Sequence, residues 1–260
     1  MVVAILNNKG GTGKTTTAVH LAAGMARAGR RVLLVDLDAQ ASASFALGAG
    51  GDPAALTVVD VLFGNYPVAE ADRPTAVDGL SLIPAEMELA SADLMLADAP
   101  DRDRRLAGVL DRFQAQAAPP VDLVLLDCPP AMSLLTVNAL MAADRFLVPV
   151  TPEYLALEGL VNLMAAVDRV RRGLGARATL LGILFTLVPP GGRAAREVIA
   201  LVRERFADQV FGAEIRRDVR LAEAPAYNRT VFAHAPECRG AQGYAALVQE
   251  VVARLFATSS

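Results

Sequence analysis

VVAILNNKGGTGKTTT, Val2 to Thr17, passes from five apolar residues through a loop with three glycines into a run of threonines. A short apolar run that stops at glycine reads as a buried strand. The TTTAVHLAAGMARAG that follows, Thr15 to Gly29, has apolar residues at helical spacing until Gly29 supplies a stop. Strand, glycine loop and helix in that order bring successive backbone N–H groups and a helix N-terminus to one point, an arrangement that holds polyphosphate. Lys14 and Thr15 follow Gly13 as such a loop requires, the lysine to bridge β and γ oxygens and the threonine hydroxyl to ligate Mg²⁺. The usual pattern has glycine where Asn8 stands, and here Lys9, Gly10 and Gly11 come instead.

Outward from that stretch the pattern repeats. VLLVDLD (Val32–Asp38), LSLIP (from Leu80), VDLVLLDCPP (Val121–Pro130), RFLVPVTPE (Arg145–Glu153) and ATLLGILFTLV (from Ala178) read as further strands. Helical patterns fall between or after them at Met87–Leu96, Asp101–Phe113, Leu157–Arg172, Ala194–Phe206 and about Tyr244–Phe256. Gly48–Pro53 and Pro189–Gly192 read as loops. The expectation is an α/β fold: a mostly parallel, twisted sheet with helices on both faces and ligands at the carboxyl ends of the strands. At 260 residues and 53% hydrophobic side chains, residues 1–260 are expected to form a single domain.

No apolar run approaches the roughly 18 residues of a membrane span, and MVVAILNNKGG lacks a basic leader, so a soluble cytoplasmic protein is expected. Cys128 and Cys238 are too few for a disulfide framework or a paired-cysteine metal site and read as reduced, packed thiols. His20 and His234 read as satisfied structural histidines.

Charge narrows the reading further. The net charge is −3, yet Asp168 to Arg220 holds eleven arginines against six acidic residues, a local excess of +5, so a DNA partner would meet that segment. Of 25 cationic residues only Lys9 and Lys14 are lysine, and both lie in the glycine loop. These two positions therefore call for a compact ammonium rather than a planar guanidinium. Asp36 and Asp38 close one strand two positions apart and share a face if it stays extended, and Asp127 closes another apolar run. For Asp36 and Asp38 a strand-end capping role is the alternative. An unpaired carboxylate at Asp127 would be costly to bury, which argues against a bare core role.

KGGTGKTT, VLLVDLDAQ and LVLLDCPP, in that order and spacing, resemble the ParA/MinD superfamily of deviant Walker ATPases. The resemblance continues through VPVTPEYLALEGL and RRDVRLAEAP to GYAALVQEVV, and is closest to short ParA-type partition ATPases without an N-terminal helix-turn-helix region. It implies a P-loop ATPase that binds ATP and Mg²⁺ through Lys9, Gly10, Gly11, Thr12, Gly13, Lys14, Thr15 and Thr16. Lys9 would cross a homodimer interface to the partner's nucleotide and offset the repulsion of two facing triphosphates. Asp36 and Asp127 would stand behind the Mg²⁺, with Thr15 as ligand, and Asp38 would orient the attacking water. The base would lie near Thr186 and Arg217. Where the family tends to carry proline, this chain has Ala39 and Arg216.

The resemblance further implies non-specific double-stranded DNA binding in the ATP state, a nucleoid location, and hydrolysis stimulated by a ParB-like partner. Arg220 matches one DNA-contact position. The other falls on Gly191, with Arg193 and Arg196 beside it. The same helix reads equally as a solvated face, with Arg196, Arg203 and Arg205 pointing to water. Three rivals stand beside this: a membrane-cycling MinD-like ATPase, disfavoured by a last helix whose only charges are Glu250 and Arg254; an iron–sulfur carrier bridged by cysteines; and a non-hydrolysing scaffold.

Overall fold

The five apolar runs that follow the strand pattern, together with the quoted stretch, become the body of one sheet in the computed structural model, which describes residues 1–49 and 55–256. Its strands are β1 (Val2–Ile5), β2 (Val32–Asp36), β3 (Arg73–Pro74), β4 (Leu80–Ile83), β5 (Leu123–Asp127), β6 (Arg145–Val150), β7 (Thr179–Val188) and β8 (Val210–Arg216). Their spatial order is β3-β4-β2-β5-β1-β6-β7-β8, and every pairing is parallel except β3 with β4. The helices are α1 (Lys14–Arg27), α2 (Ser42–Ala46), α3 (Val58–Phe63), α4 (Val68–Ala71), α5 (Ala92–Ala97) and α6 (Arg105–Gln116). After them come α7 (Leu134–Ala142), α8 (Ala156–Leu174), α9 (Arg193–Phe206), α10 (Val219–Glu223), α11 (Val231–His234) and α12 (Arg239–Phe256).

Strand geometry divides the core in two. Along β1, Val2 and Ala4 join one cluster with Leu106, Leu135, Leu160 and Val202, from α6, α7, α8 and α9. Val3 and Ile5 join the opposite cluster with Leu21 of α1 and Leu247 of α12. Both faces are therefore covered, and the central strands are apolar throughout, as a doubly covered parallel sheet demands.

The expected elements differ from the observed ones in instructive places. The helix expected at Met87–Leu96 is a 3₁₀ turn, Met87–Ser91, followed by α5, and that expected at Asp101–Phe113 begins only at Arg105. There Asn138, fully buried on α7, accepts from the Leu106 N–H at 3.1 Å and donates to the carbonyls of Arg102 (2.6 Å) and Leu134 (3.0 Å). A side chain remote in sequence thus sets the start of α6. α7 gave no periodic signal because it is buried nearly all round, so it has no polar stripe. β8 was also unforeseen, its apolar alternation being broken by Gly212. Of the loop expected at Gly48–Pro53, residues 50–53 lie outside the described residues.

β8 is an edge strand, and α12 closes that edge. The Glu250 carboxylate accepts from the Gly212 and Ala213 N–H groups at 2.9 and 2.6 Å, and the Arg254 guanidinium donates to the carbonyls of Leu181 (2.8 Å) and Val210 (3.3 Å). An exposed β edge is thereby satisfied by charged side chains rather than left to pair with another chain. The arrangement needs Gly182, since a Cβ there would overlap the Phe211 ring and the Arg254 guanidinium. Gly182→Ala is expected to cost about 1–3 kcal/mol of stability, read as a lower midpoint in urea unfolding.

His20 corrects one expectation. It is structural but not satisfied: 1% exposed between α1 and α12, with its ring 5.0 Å from Tyr244 and neither ring nitrogen hydrogen-bonded. Burial pushes its imidazole down to about 3. The unfolded chain therefore binds a proton near pH 6.5 that the folded chain refuses, so this contribution to stability is whole above pH 6.5 and shrinks as pH falls toward 3. Replacing His20 with Phe should remove about 1.4 kcal/mol of the stability lost between neutral pH and pH 5.5, measured by urea unfolding at both.

Candidate functional site

Parallel register brings the strand ends level. Ile5 of β1 pairs with Asp127 of β5, and Asp127 with Asp36 of β2, so the glycine loop leaves the sheet directly beside two carboxylates. Gly11 (φ 72°) and Gly13 (φ 78°) hold the left-handed conformations that let the loop double back and deliver its N–H groups inward. α1 then starts at Lys14, with the amides of its first turn free of intrahelical partners. From behind, the buried Thr186 hydroxyl donates to the Thr12 carbonyl at 2.7 Å and braces the loop. Its neighbour Leu187 takes a positive φ of 50° on the wall of a cavity of about 810 Å³, which Gly10, Lys14, Thr15, Asp38 and Pro130 also line.

Burial outweighs charge compensation at the strand ends beside this pocket. Asp127 is fully buried, and the Thr15 hydroxyl lies near its carboxylate without the geometry of a full hydrogen bond. Burial first, and then the Asp36 charge, push its carboxyl well above the usual range, against the pull of the Thr15 hydroxyl and the Lys14 ammonium. Asp36, also fully buried, accepts from the Ser44 N–H (2.9 Å), the Ser44 hydroxyl (2.7 Å) and the Asp38 N–H (3.2 Å), yet burial still raises it. Lys14 is 6% exposed and burial lowers its ammonium, opposed by Asp127 and Asp38. Two carboxylates and a threonine hydroxyl are hard oxygen donors, and beside a loop shaped for phosphate they fit Mg²⁺, which keeps most of its waters and takes few protein ligands.

Asp38 departs from the strand geometry expected of it. β2 ends at Asp36, and Asp38 lies in the turn beyond, its carboxylate accepting from the Gln40 N–H at 3.0 Å, so the pleat does not decide which way it faces. Lys9, exposed at the loop tip, donates its ammonium to Glu153, just past β6. That contact and the Arg217 charge hold the Glu153 carboxyl below its usual range. Glu153 and Ser44 were not singled out in the sequence. Only the fold brings either one to the site.

The remaining candidates lie apart. Arg217 is exposed just past β8, with its N–H on the Val188 carbonyl. Arg193 opens α9 and pairs with Glu197 at 2.6 Å; Arg196 lines a groove of about 460 Å³ with Arg203 and Arg216; Arg220 on α10 pairs with Glu223 at 2.8 Å. His234 is not isolated: it stacks on Tyr227 and lies 3.5 Å from Glu223. Cys128 is buried in the core, its thiol pushed up by burial, and Cys238 is half-buried. Among the described residues no helix is long and apolar enough to cross a membrane.

A glycine loop between a parallel strand and a helix, with lysine, threonine and strand-end carboxylates converging on it, defines a P-loop nucleoside-triphosphate-binding protein. The model of a family described as an AAA domain matches residues 1–179. The chromosome partitioning protein ParA of Caulobacter vibrioides is 41% identical over 253 residues, 97% of this chain and 94% of that protein. The chromosome-partitioning ATPase Soj of Thermus thermophilus is 45% identical over 253 residues, 97% of this chain and 96% of that one. Cobyrinic acid a,c-diamide synthase from Mycobacterium smegmatis, solved with a bound ATP analog and magnesium, superposes with a TM-score of 0.81 at 32% identity, over 97% of this chain and 94% of that one. The chain belongs to the ParA/MinD superfamily of AAA-domain ATPases.

Replacing Asp127 with Asn should cost the nucleotide-free protein little stability, because burial and the Asp36 charge already disfavour the ionised carboxylate, while removing most of the rise in Tm that ATP with Mg²⁺ produces. Thermal unfolding with and without ligand checks both halves.

Proposed function

We propose that this chain is a single-domain partition ATPase that pairs with a second copy when ATP is bound, holds double-stranded DNA non-specifically in that state, and so positions a chromosome or other large DNA cargo. The observation that carries the reading is the pairing of a buried lysine, Lys14, with an exposed one, Lys9, on a single loop in a chain otherwise without lysine. The 38–45% identities to proteins named for chromosome partitioning support the cargo.

In this reading the loop amides from Gly10 to Thr16 and the Lys14 ammonium bind the β and γ phosphates, and Thr15, Asp36 and Asp127 hold the cation directly or through water. Mg²⁺ would neutralise phosphate charge as it is transferred. Asp38, partly exposed at the pocket rim, orients the attacking water. Thr186 keeps the Thr12 carbonyl in place beneath the loop, and Arg217 is the proposed base contact, reached by the nucleotide past the end of β8. Lys9 reaches the partner's nucleotide, so two subunits join only when both sites are filled. Pairing duplicates each arginine patch, and phosphate neutralisation accumulates steeply with the number of contacts. Arg193, Arg196 and Arg220 supply those contacts, after exchanging Glu197 and Glu223 for phosphate at two of the three. A ParB-like partner accelerates hydrolysis and ends the cycle in the cytoplasm over the nucleoid.

The test combines one variant with a salt series. Asp38→Ala should bind ATP, stay dimeric and retain DNA, with turnover reduced by roughly 10²-fold or more. Parent protein should hold DNA with ATP but not with ADP, and affinity should fall steeply between 50 and 200 mM salt, as about six or more phosphate contacts require. DNA binding indifferent to nucleotide, or normal hydrolysis by the variant, contradicts the proposal.

A further inference from the structure

Lys9 is not idle in the single chain. Its ammonium donates to Glu153 although both side chains are more than half exposed, 56% and 60%. The contact is set up from both sides. Asn7 donates to the Pro149 carbonyl at 2.7 Å and accepts from the Lys9 N–H at 3.0 Å, which ties the backbone of Lys9 to the end of β6. Glu153 is turned toward it by its own N–H on the Thr151 carbonyl at 2.8 Å. Arg217, past the end of β8, lies close enough for its charge to act on the same carboxylate. An opening of about 280 Å³, lined by Asn7, Lys9, Thr12, Glu153 and Glu158, gives the lysine room to leave.

We propose that Glu153 is a positioning residue that parks Lys9 in cis in the lone subunit, so that Lys9 reaches a partner's phosphate only by displacing this contact. The inference rests on the trans role of Lys9 given above and extends it: pairing is held back by a competitor inside the chain, as well as by the need for nucleotide. A solvent-exposed ion pair suits this task. It is weak enough that a triphosphate outcompetes it, and strong enough to bias where a flexible four-carbon side chain rests. Each subunit releases one such contact, so the effect on the dimer is squared.

Glu153→Gln keeps the shape and removes the charge. With a non-hydrolysable ATP analogue and Mg²⁺, its dimer Kd by sedimentation should fall roughly 2- to 30-fold, the square of a single exposed pair's contribution. Glu158→Gln, which removes a charge from the same opening without touching Lys9, should change it little. A second readout uses the lysine count: with only Lys9 and Lys14 in the chain, amine acylation followed by mass analysis reports each separately. In the nucleotide-free monomer Glu153→Gln should speed acylation of Lys9 and leave Lys14 unchanged. An unchanged Lys9 rate, an unchanged or raised Kd, or an equal fall with Glu158→Gln overturns the proposal. Lys9→Ala separates it from the reading beneath: if that variant still dimerises like the parent, the trans lysine itself is wrong, whereas if it stays monomeric and Glu153→Gln has no effect, only the parking contact fails.

Discussion

Two carboxylates sit side by side at the carboxyl ends of β2 and β5 because β2, β5 and β1 run parallel and in register, and neighbouring parallel strands have their carboxyl ends on the same edge. Asp36 faces Asp127 across one ladder step, both fully buried, and the protein itself supplies only Lys14 and a few hydrogen bonds against their combined charge. Burial and the Asp36 charge raise the Asp127 carboxyl, so the pair holds a proton more readily than free carboxylates do. The threonine of the helix start, the glycine loop and the lysine all lie beside these strand ends.

The loop is braced and largely buried in its inner half and exposed in its outer half. Its inner half is fixed by positive-φ glycines, by the start of α1 and by the hydroxyl of Thr186 beneath Thr12. Lys9, at its outer half, is held by a single carboxylate within reach of water. This gradient in burial suits the two tasks proposed for one short segment, binding the nucleotide and announcing that it is bound. The arginine-rich carboxy-terminal half repeats the theme at lower cost. Arg193 and Arg220 are exposed and matched with Glu197 and Glu223, pairs loose enough to be exchanged.

Sequence reading found the central strands, α1, the loop and the residues that line it, since each depends on contacts local in the chain: an apolar run, a helical period, a glycine at a turn. It failed where a partner far along the chain decides. α7 was invisible because it is buried all round, β8 because Gly212 interrupts its alternation, and the start of α6 because Asn138 sets it from another helix. His20 is a sharper case, since a helix residue two turns past the loop has no sequence mark that says whether its ring will find a partner.

The linear chain determined the fold class, the phosphate loop and the presence of two lysines where one suffices, because these follow from residue type and spacing within about thirty positions. Only the tertiary structure decided that Asp127 is fully buried, that Asp38 lies in a turn past its strand, that Ser44 holds Asp36, and that Glu153 takes up Lys9. The physical reason is that charge compensation is settled between strand ends separated by scores of residues, and their meeting depends on sheet order, which no local pattern encodes.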